Sequence, residues 1–340
     1  MQQPQLSVIV TTHERPDLLH QLMEGLRQQQ LPPDQFEVWI ADDASSTDAT
    51  PMLASLDLPY RWELLRLPKA GPAHGRNRAL ERVNAPLVLF LNDDLRPEPT
   101  LLTAHVKAHA HHPGPIAVLG AFCFPQSLRQ SLFQRTIEDL GLTITTRHFM
   151  EGAYYGHPAF WTGNLSIPVK LVKDVGAFDE HFTEPSHEDI DLGIRLERAY
   201  GLSVLFQASA VGWHEHPMRM SDWRRQKRMG GRGAWKVHLK HRLLSLGSME
   251  RDGKPDLEVM AQLWHQYLQQ QPAFEQLTAV VQQLEEQRLT GTQNIRFNGR
   301  VYTIPIQQDK FLRDVLETLD QQEQLAGVAE AALRAAGRLS

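Results

Sequence analysis

Apolar positions along the first 120 residues follow two alternating rhythms. Residues 6–12 (LSVIVTT) form a nearly unbroken apolar run, as a strand buried on both faces of a parallel sheet requires. Pro16 then opens a helical pattern that places Leu18, Leu19, Leu22, Met23 and Leu26 on one face. The alternation continues with strands over 36–41 (FEVWIA), 62–67 (WELLRL) and 87–91 (LVLFL). Helices lie between them: one capped by Ser46 or Thr47, one over 71–83. This order predicts an α/β fold with a mostly parallel sheet and helices on both faces. In such sheets ligands bind beyond the carboxyl ends of the strands.

The pattern loosens after residue 120. Residues 121–160 mix aromatics, Gly and Pro. Residues 160–168 (FWTGNLSIP) carry strand propensity, and Leu192, Leu196 and Ala199 predict a helix ended by Gly201. That helix would carry Glu188 and Asp189 at its N-terminus. Short strands are expected at 202–206 and 210–214. From 245 the chain is rich in Gln, Glu and Leu with helical spacing, apart from a hairpin near 294–305 turned by Asn298-Gly299. The organisation expected is therefore an α/β half (1–120), a less regular half (121–243) of the same domain, and a mainly helical C-terminal region (244–340).

Acidic residues stand at two strand ends, Asp42-Asp43 after the second strand and Asn92-Asp93-Asp94 after the fourth. Carboxylates converging on one cleft repel, and a divalent cation relieves that repulsion. Oxygen-rich donors select Mg²⁺ or Mn²⁺, and substrate phosphates commonly complete such sites. His214 and His216 alternate on one strand face, a spacing that suits a metal.

Composition narrows the possibilities. Lys+Arg is 35 against 40 Asp+Glu, a net charge of -5, which disfavours general nucleic-acid binding. The one cysteine, Cys123, excludes a disulfide framework or a cysteine-based metal centre. No apolar run approaches the roughly 18 residues of a membrane span, and no leader pattern is present, so the expected location is cytoplasmic. Residues 219–242 hold nine Lys/Arg, two His and two Trp, which reads as an anion site, a peripheral contact with the inner face of a membrane, or a solvated face.

Seven segments occur in a recognisable order: SVIVTTHERP, IADDASSTDAT, GPAHGRNRAL, LFLNDDLRPEP, FWTGNLSIP with VGAFDEHF, HEDIDLGIRL and AVGWHEHP. Over residues 6–216 this order resembles the family 2 glycosyltransferases, which have the GT-A fold. The resemblance implies an inverting, metal-dependent enzyme that moves a sugar from a nucleotide-diphospho-sugar, UDP-sugar favoured, to a hydroxyl of a glycan or other acceptor. It assigns nucleotide-sugar binding to the half over residues 1–120 and acceptor binding to the half over residues 121–243. It implies Mn²⁺ or Mg²⁺ held by Asp94 with His214 or His216. The donor nucleotide would be lined by Thr11, His13, Arg15, Asp43, Arg76, Asn77 and Asp93, with Arg76 on phosphate. Asp189, with Glu188 beside it, matches the catalytic base. An acceptor hydroxyl must lose its proton as it attacks, and mutual repulsion should raise a carboxylate there. Trp161, Gly163 and Asn164 would border the acceptor. Arg224 and Arg228 would close over the diphosphate on a lid made flexible by Gly230, Gly231 and Gly233.

Two other readings use the same residues: a non-catalytic nucleotide-sugar-binding or scaffold protein, and a sugar-phosphate nucleotidyltransferase. The segment THERPDLL lacks the glycines of the nucleotidyltransferase loop. The C-terminal helices leave room for homo-oligomerisation.

Overall fold

The computed structural model describes residues 3–242, 250–251, 254–285, 292–297, 300–305 and 309–339. They fall into two compact units, Met1–Pro125 with Thr145–His216, and Gln126–Ile144 with Pro217–Ser340. The division differs from the one expected. The segment 126–144 joins the C-terminal unit because Phe133 and Ile137 are fully buried against its helices.

The first unit runs β1 (Leu6–Thr12), α1 (Pro16–Arg27), β2 (Phe36–Asp43), α2 (Thr50–Ser55), β3 (Arg61–Leu67), α3 (Pro72–Leu80), β4 (Leu87–Asn92), β5 (Leu95–Pro97), α4 (Leu101–His111) and β6 (Ile116–Cys123). The second unit takes α5 (Leu132–Asp139); the first resumes with β7 (Tyr154–Tyr155), β8 (Asn164–Pro168), α6 (Val169–Asp174), α7 (Glu188–Tyr200) and β9 (Ser203–His214). Its sheet has the order β3-β2-β1-β4-β8-β6-β9-β5, with β7 on β9. Neighbours are parallel from β3 to β4 and again between β6 and β9; β8, β5 and β7 join antiparallel. β2 is buried at every position, with Val38–Ala41 apolar and the Glu37 carboxylate accepting from Ser7 Oγ and the Asn84 N–H, whereas the edge strand β3 is half exposed. α1 begins at Pro16 and buries Leu19, Leu22, Met23 and Leu26, the face its spacing predicts.

Two local expectations change. α2 starts at Thr50, where the Asp48 carboxylate accepts from the Thr50 N–H at 2.8 Å, so neither Ser46 nor Thr47 caps it. The two short strands expected at 202–214 are one strand with a bulge. Gly120 pairs with Gln207, but the next residue, Ala121, pairs with Val211. The extra residues re-aim the end of β9 so that His214 lies opposite Leu95 of β5, next to Asp94.

The second unit packs α8 (Met220–His241), α9 (Leu257–Glu285) and α10 (Asp309–Ala335) around Trp223, Phe274, Leu316 and Leu319. Two short ribbons, β10 (Glu250–Arg251) with β11 (Lys254–Pro255) and β12 (Thr292–Phe297) with β13 (Arg300–Pro305), accompany them. The second is the expected hairpin; its Asn298-Gly299 turn lies outside the described residues. The basic stretch forms α8, and Arg224, Lys227, Arg228 and Arg232 face α10 while the exposed Arg225 pairs with Asp222 of its own helix. Arg224 reaches Glu323 at 2.7 Å and Arg228 the same carboxylate at 3.4 Å, while Lys227 pairs with Asp320 and Arg232 with Glu330. Glu323 is fully buried and also accepts from the Tyr267 hydroxyl at 2.7 Å. Arg224 and Arg228, expected over a diphosphate, are thus engaged inside the helical unit. Gly231 is not a hinge: it lies inside α8, where a Cβ would collide with the backbone of Gln324, and Gly327 meets Arg228 in the same way. Among the described residues no helix is long and apolar enough to cross a membrane.

Candidate active site

Parallel register brings the carboxyl ends of β1, β2 and β4 to one rim of the first unit, with Thr11 opposite both Ala41 and Asn92. The loops after β1 and β2 are clamped together there. Glu14 accepts from the Ser46 N–H (2.7 Å) and hydroxyl (2.9 Å), and its own N–H donates to Ser45 Oγ at 2.9 Å. Glu14 and Ala44 adopt left-handed backbone, φ 53° and 63°, a cost these cross-links hold in place. Sequence reasoning missed Glu14; a lone acid in a short loop gives no signal. Thr12, Glu14, Arg15, Asp42, Ser45 and Thr47 line a shallow recess between the loops, and His13 stands exposed beside it. Asp43, expected at the nucleobase, accepts from the N–H groups of Ala70 and Gly71 at 2.7 and 3.0 Å and pairs with Lys69 at 3.0 Å. Burial raises its carboxyl, but these donors outweigh that and hold it below the usual range.

The acidic corner follows β4. Asp93 accepts from Thr12 Oγ1 at 2.8 Å and pairs with Arg15 at 3.2 Å; the same guanidinium lies 3.5 Å from Asp94. Asp94 also meets His214 Nε2 at 3.2 Å. Burial, followed by repulsion from Asp94, pushes the Asp93 carboxyl up to about 6. Asp94 is equally buried, yet His214 and Arg15 overcome burial and lower it; Asp94 in turn raises His214. Asp94 Oδ1 is buried without a hydrogen-bond partner. His216, two residues beyond His214, is exposed.

The opposite wall is the start of α7. Asp189 is half-buried; its Oδ1 accepts from the Ile190 N–H at 2.8 Å and its Oδ2 from the Thr162 N–H at 3.3 Å. The next residue, Gly163, accepts from the Asn92 N–H through its carbonyl at 2.9 Å. One short backbone segment therefore connects the carboxylate of Asp189 to the strand end that leads into Asp93 and Asp94. Gly163 must be small: a Cβ would stand 2.8 Å from Asn92 Nδ2 and 2.9 Å from the Phe122 ring. Trp161 packs on Phe149 and Phe122 and stays partly exposed. Both Glu188 and Asp189 are raised, and burial leads the causes of each, ahead of the mutual repulsion that the sequence suggested.

A model of glycosyl transferase family 2 matches residues 7–167, the strands and loops that build this rim. Over residues 7–167 the chain is similar to the family 2 glycosyltransferases. Over 257 residues it is 26% identical to the uncharacterized glycosyltransferase YfnE of Bacillus subtilis (strain 168), covering 62% of this chain and 65% of that one. Over 233 residues it is 28% identical to a validoxylamine A glucosyltransferase of Streptomyces hygroscopicus subsp. limoneus, covering 62% of this chain and 51% of that one. The match thus spans about half to two thirds of these relatives' length. Among solved structures, a mannosyltransferase from Pyrobaculum calidifontis in complex with GDP-Man and Mn²⁺ superposes with a TM-score of 0.53 at 18% identity, covering 99% of this chain and 87% of that chain. That likeness shows the GT-A fold.

Within the first unit three residues expected on the donor or acceptor are engaged with other partners. Asn164 is fully buried and fills the β6–β9 bulge: its Nδ2 donates to Ala210 O at 2.9 Å and to Ala121 O at 3.3 Å. Gly120 leaves the space for it, since a Cβ there would collide with that amide. Asn164 therefore cannot border an acceptor. Asn77 exchanges hydrogen bonds with the backbone of Phe178 (2.9 Å each way) and donates to Glu180 at 2.8 Å, which ties α3 to the 178–180 segment. It lines a cleft of about 650 Å³ with Lys173, Phe178 and Glu180, away from Asp94 and Asp189. Arg76 is 6% exposed and pairs with Glu188 at 2.6 Å.

Proposed function

We propose that this domain transfers a sugar from a nucleotide-diphospho-sugar, UDP-sugar favoured, to an acceptor hydroxyl with inversion at the anomeric carbon. The observation that carries the reading is the Trp161–Gly163 segment, which holds Asp189 at one residue and the entrance to the Asp93–Asp94 corner at the next. In this reading a base and a diphosphate-neutralising centre share one short piece of backbone, which suits proton removal and leaving-group stabilisation in a single displacement.

The residues fit a divalent cation. Asp94 offers an oxygen with no protein partner and His214 an imidazole beside it. Substrate oxygens commonly complete the coordination of Mg²⁺ and Mn²⁺ in nucleotide sites. A cation held by Asp94 and His214 would neutralise charge on the departing diphosphate. The chain's own groups do the rest. Thr11, His13 and Arg15 stand at the rim to receive the nucleotide, and His13 offers an exposed ring for stacking on a base. Asp189 accepts the acceptor's proton; its raised carboxyl makes it a better base once ionised. Trp161 borders the acceptor.

A thermal-shift screen of UDP-, GDP-, dTDP- and CDP-sugars, with and without Mn²⁺, tests the reading, because a ligand bound only by the folded state stabilises it by mass action. The expected result is stabilisation by a UDP-sugar that depends on Mn²⁺ and is lost in Asp94→Asn. Stabilisation by none of these donors would contradict the reading. Binding without turnover towards water or any acceptor would favour a non-catalytic nucleotide-sugar-binding role.

A further inference from the structure

The first turn of α7, which presents Asp189, is built against local preference. His187 precedes it in left-handed conformation (φ 67°), and no side chain caps the helix. A non-glycine residue in that region is strained, so something outside the turn must fix it. One contact on this turn comes from α3. Arg76 Nη1 donates to Glu188 Oε1 at 2.6 Å, with side-chain exposures of 8% and 5%, and the guanidinium lies over the Phe178 ring at 5.4 Å. The second oxygen of Glu188 is buried without a hydrogen-bond partner, so Arg76 is its hydrogen-bonding anchor. A guanidinium enclosed between a carboxylate and a ring is poorly placed to hold a diphosphate, the role its sequence context suggested.

We propose that Arg76 is a positioning residue for Asp189: by pairing with Glu188 it locks the first turn of α7, and so fixes where the neighbouring carboxylate stands at the cleft wall. The proposal rests on the reading of Asp189 as the base and adds how that base is held. Its charge acts in the same direction as its anchoring. The charged and titratable groups around Asp189 are Arg76 from α3, with Glu188 and His187 from its own turn; Asp191, further along, is paired with Arg195 at 2.9 Å. Residues 160–163, which precede β8 and supply the Thr162 N–H to Asp189, carry no charge. Burial favours the protonated acid, and Arg76 is the main opposing influence. The cation that anchors the turn therefore also keeps Asp189 available as a base at neutral pH.

An NMR pH titration of protein labelled at the aspartate carboxyl carbons tests this without needing the donor or acceptor. The Asp189 resonance is the one lost in Asp189→Asn. Arg76→Met should raise its midpoint by about one unit or more, since a charge at this range is worth that much. Arg76→Lys, which keeps the charge, should stay within about half a unit of the natural chain. Arg76→Met alone strands a buried carboxylate and endangers the fold, so Arg76→Met/Glu188→Gln serves as the stable counterpart; it should also titrate higher than the natural chain, because Arg76 dominates over Glu188 at Asp189. Amides of the first turn of α7 should exchange faster in the double variant. An unchanged Asp189 midpoint together with unchanged exchange in the double variant would overturn the proposal. Turnover by Asp189→Asn decides the base reading separately: full activity there would remove the base and leave the anchoring intact.

Discussion

His105 and His214 lie in the same domain, both buried, both facing oxygen atoms, and their surroundings part company at the last hydrogen bond. His105 Nε2 meets Asn164 Oδ1 at 3.0 Å and its Nδ1 meets Ser166 Oγ at 2.8 Å, while His109 Nε2 reaches the same hydroxyl at 2.9 Å. Donor and acceptor counting gives a chain with nothing left over: His109 donates to Ser166, Ser166 to His105, His105 to Asn164, and the Asn164 amide to the bulge carbonyls of Ala210 and Ala121. His214 instead faces a carboxylate whose second oxygen is buried and unsatisfied, and Glu188 across the cleft has an oxygen in the same condition. Buried polar groups are normally paired because desolvating them otherwise costs about 1–3 kcal/mol each. The closed network holds a strand in place. The open one retains capacity for something from outside the chain.

The largest effect is expected from Asp94→Asn: turnover with Mn²⁺ should fall by roughly 10³-fold, the scale of a lost charge-stabilising centre, while thermal stability stays within about 1 kcal/mol. A melting temperature that collapses along with activity would place Asp94 in the structural class. Asn164→Leu should do the reverse. It strands the His105 N–H and two carbonyls, and should cost about 2–4 kcal/mol by denaturant titration with little change in turnover of the folded fraction.

Acid should separate the clusters too. Burial lowers His105 and His109 to about 4, below the ordinary histidine value, so the folded state favours their neutral forms. That contribution is fully present above about 6.5 and is lost as pH falls through about 4; for the fully buried His105 it amounts to about 3 kcal/mol. Stability measured between pH 7 and pH 4 should drop accordingly, and the His105→Gln variant should show a shallower fall. The smallest effect belongs to His13→Ala, which should weaken nucleotide binding by about 1 kcal/mol, the scale of one aromatic contact, without altering stability.

The parts legible in the sequence are those set by local pattern. A strand buried on both faces is rich in apolar residues, so β1, β2 and β4 announce themselves, and their carboxyl ends point to Asp42, Asp43, Asp93 and Asp94. The place of Asn164 is not legible in the sequence, because it depends on a bulge created by the register between β6 and β9, which no short window contains. The basic run of α8 was misread for a related reason: a line of cations does not say whether its counter-charge is a ligand or a carboxylate 99 residues away, as Glu323 is from Arg224. Arg76 was placed near the right cleft but on the wrong partner, since only the fold brings it to Glu188, 112 residues on.

The most direct test of the central claim is Asp189→Asn, assayed side by side for donor binding and for sugar transfer. The expected result is a Mn²⁺-dependent thermal shift with the nucleotide-sugar close to that of the natural chain and a fall in transfer of roughly 10²–10⁴-fold, the range lost with a general base. Transfer at the natural rate, with binding intact, would contradict it.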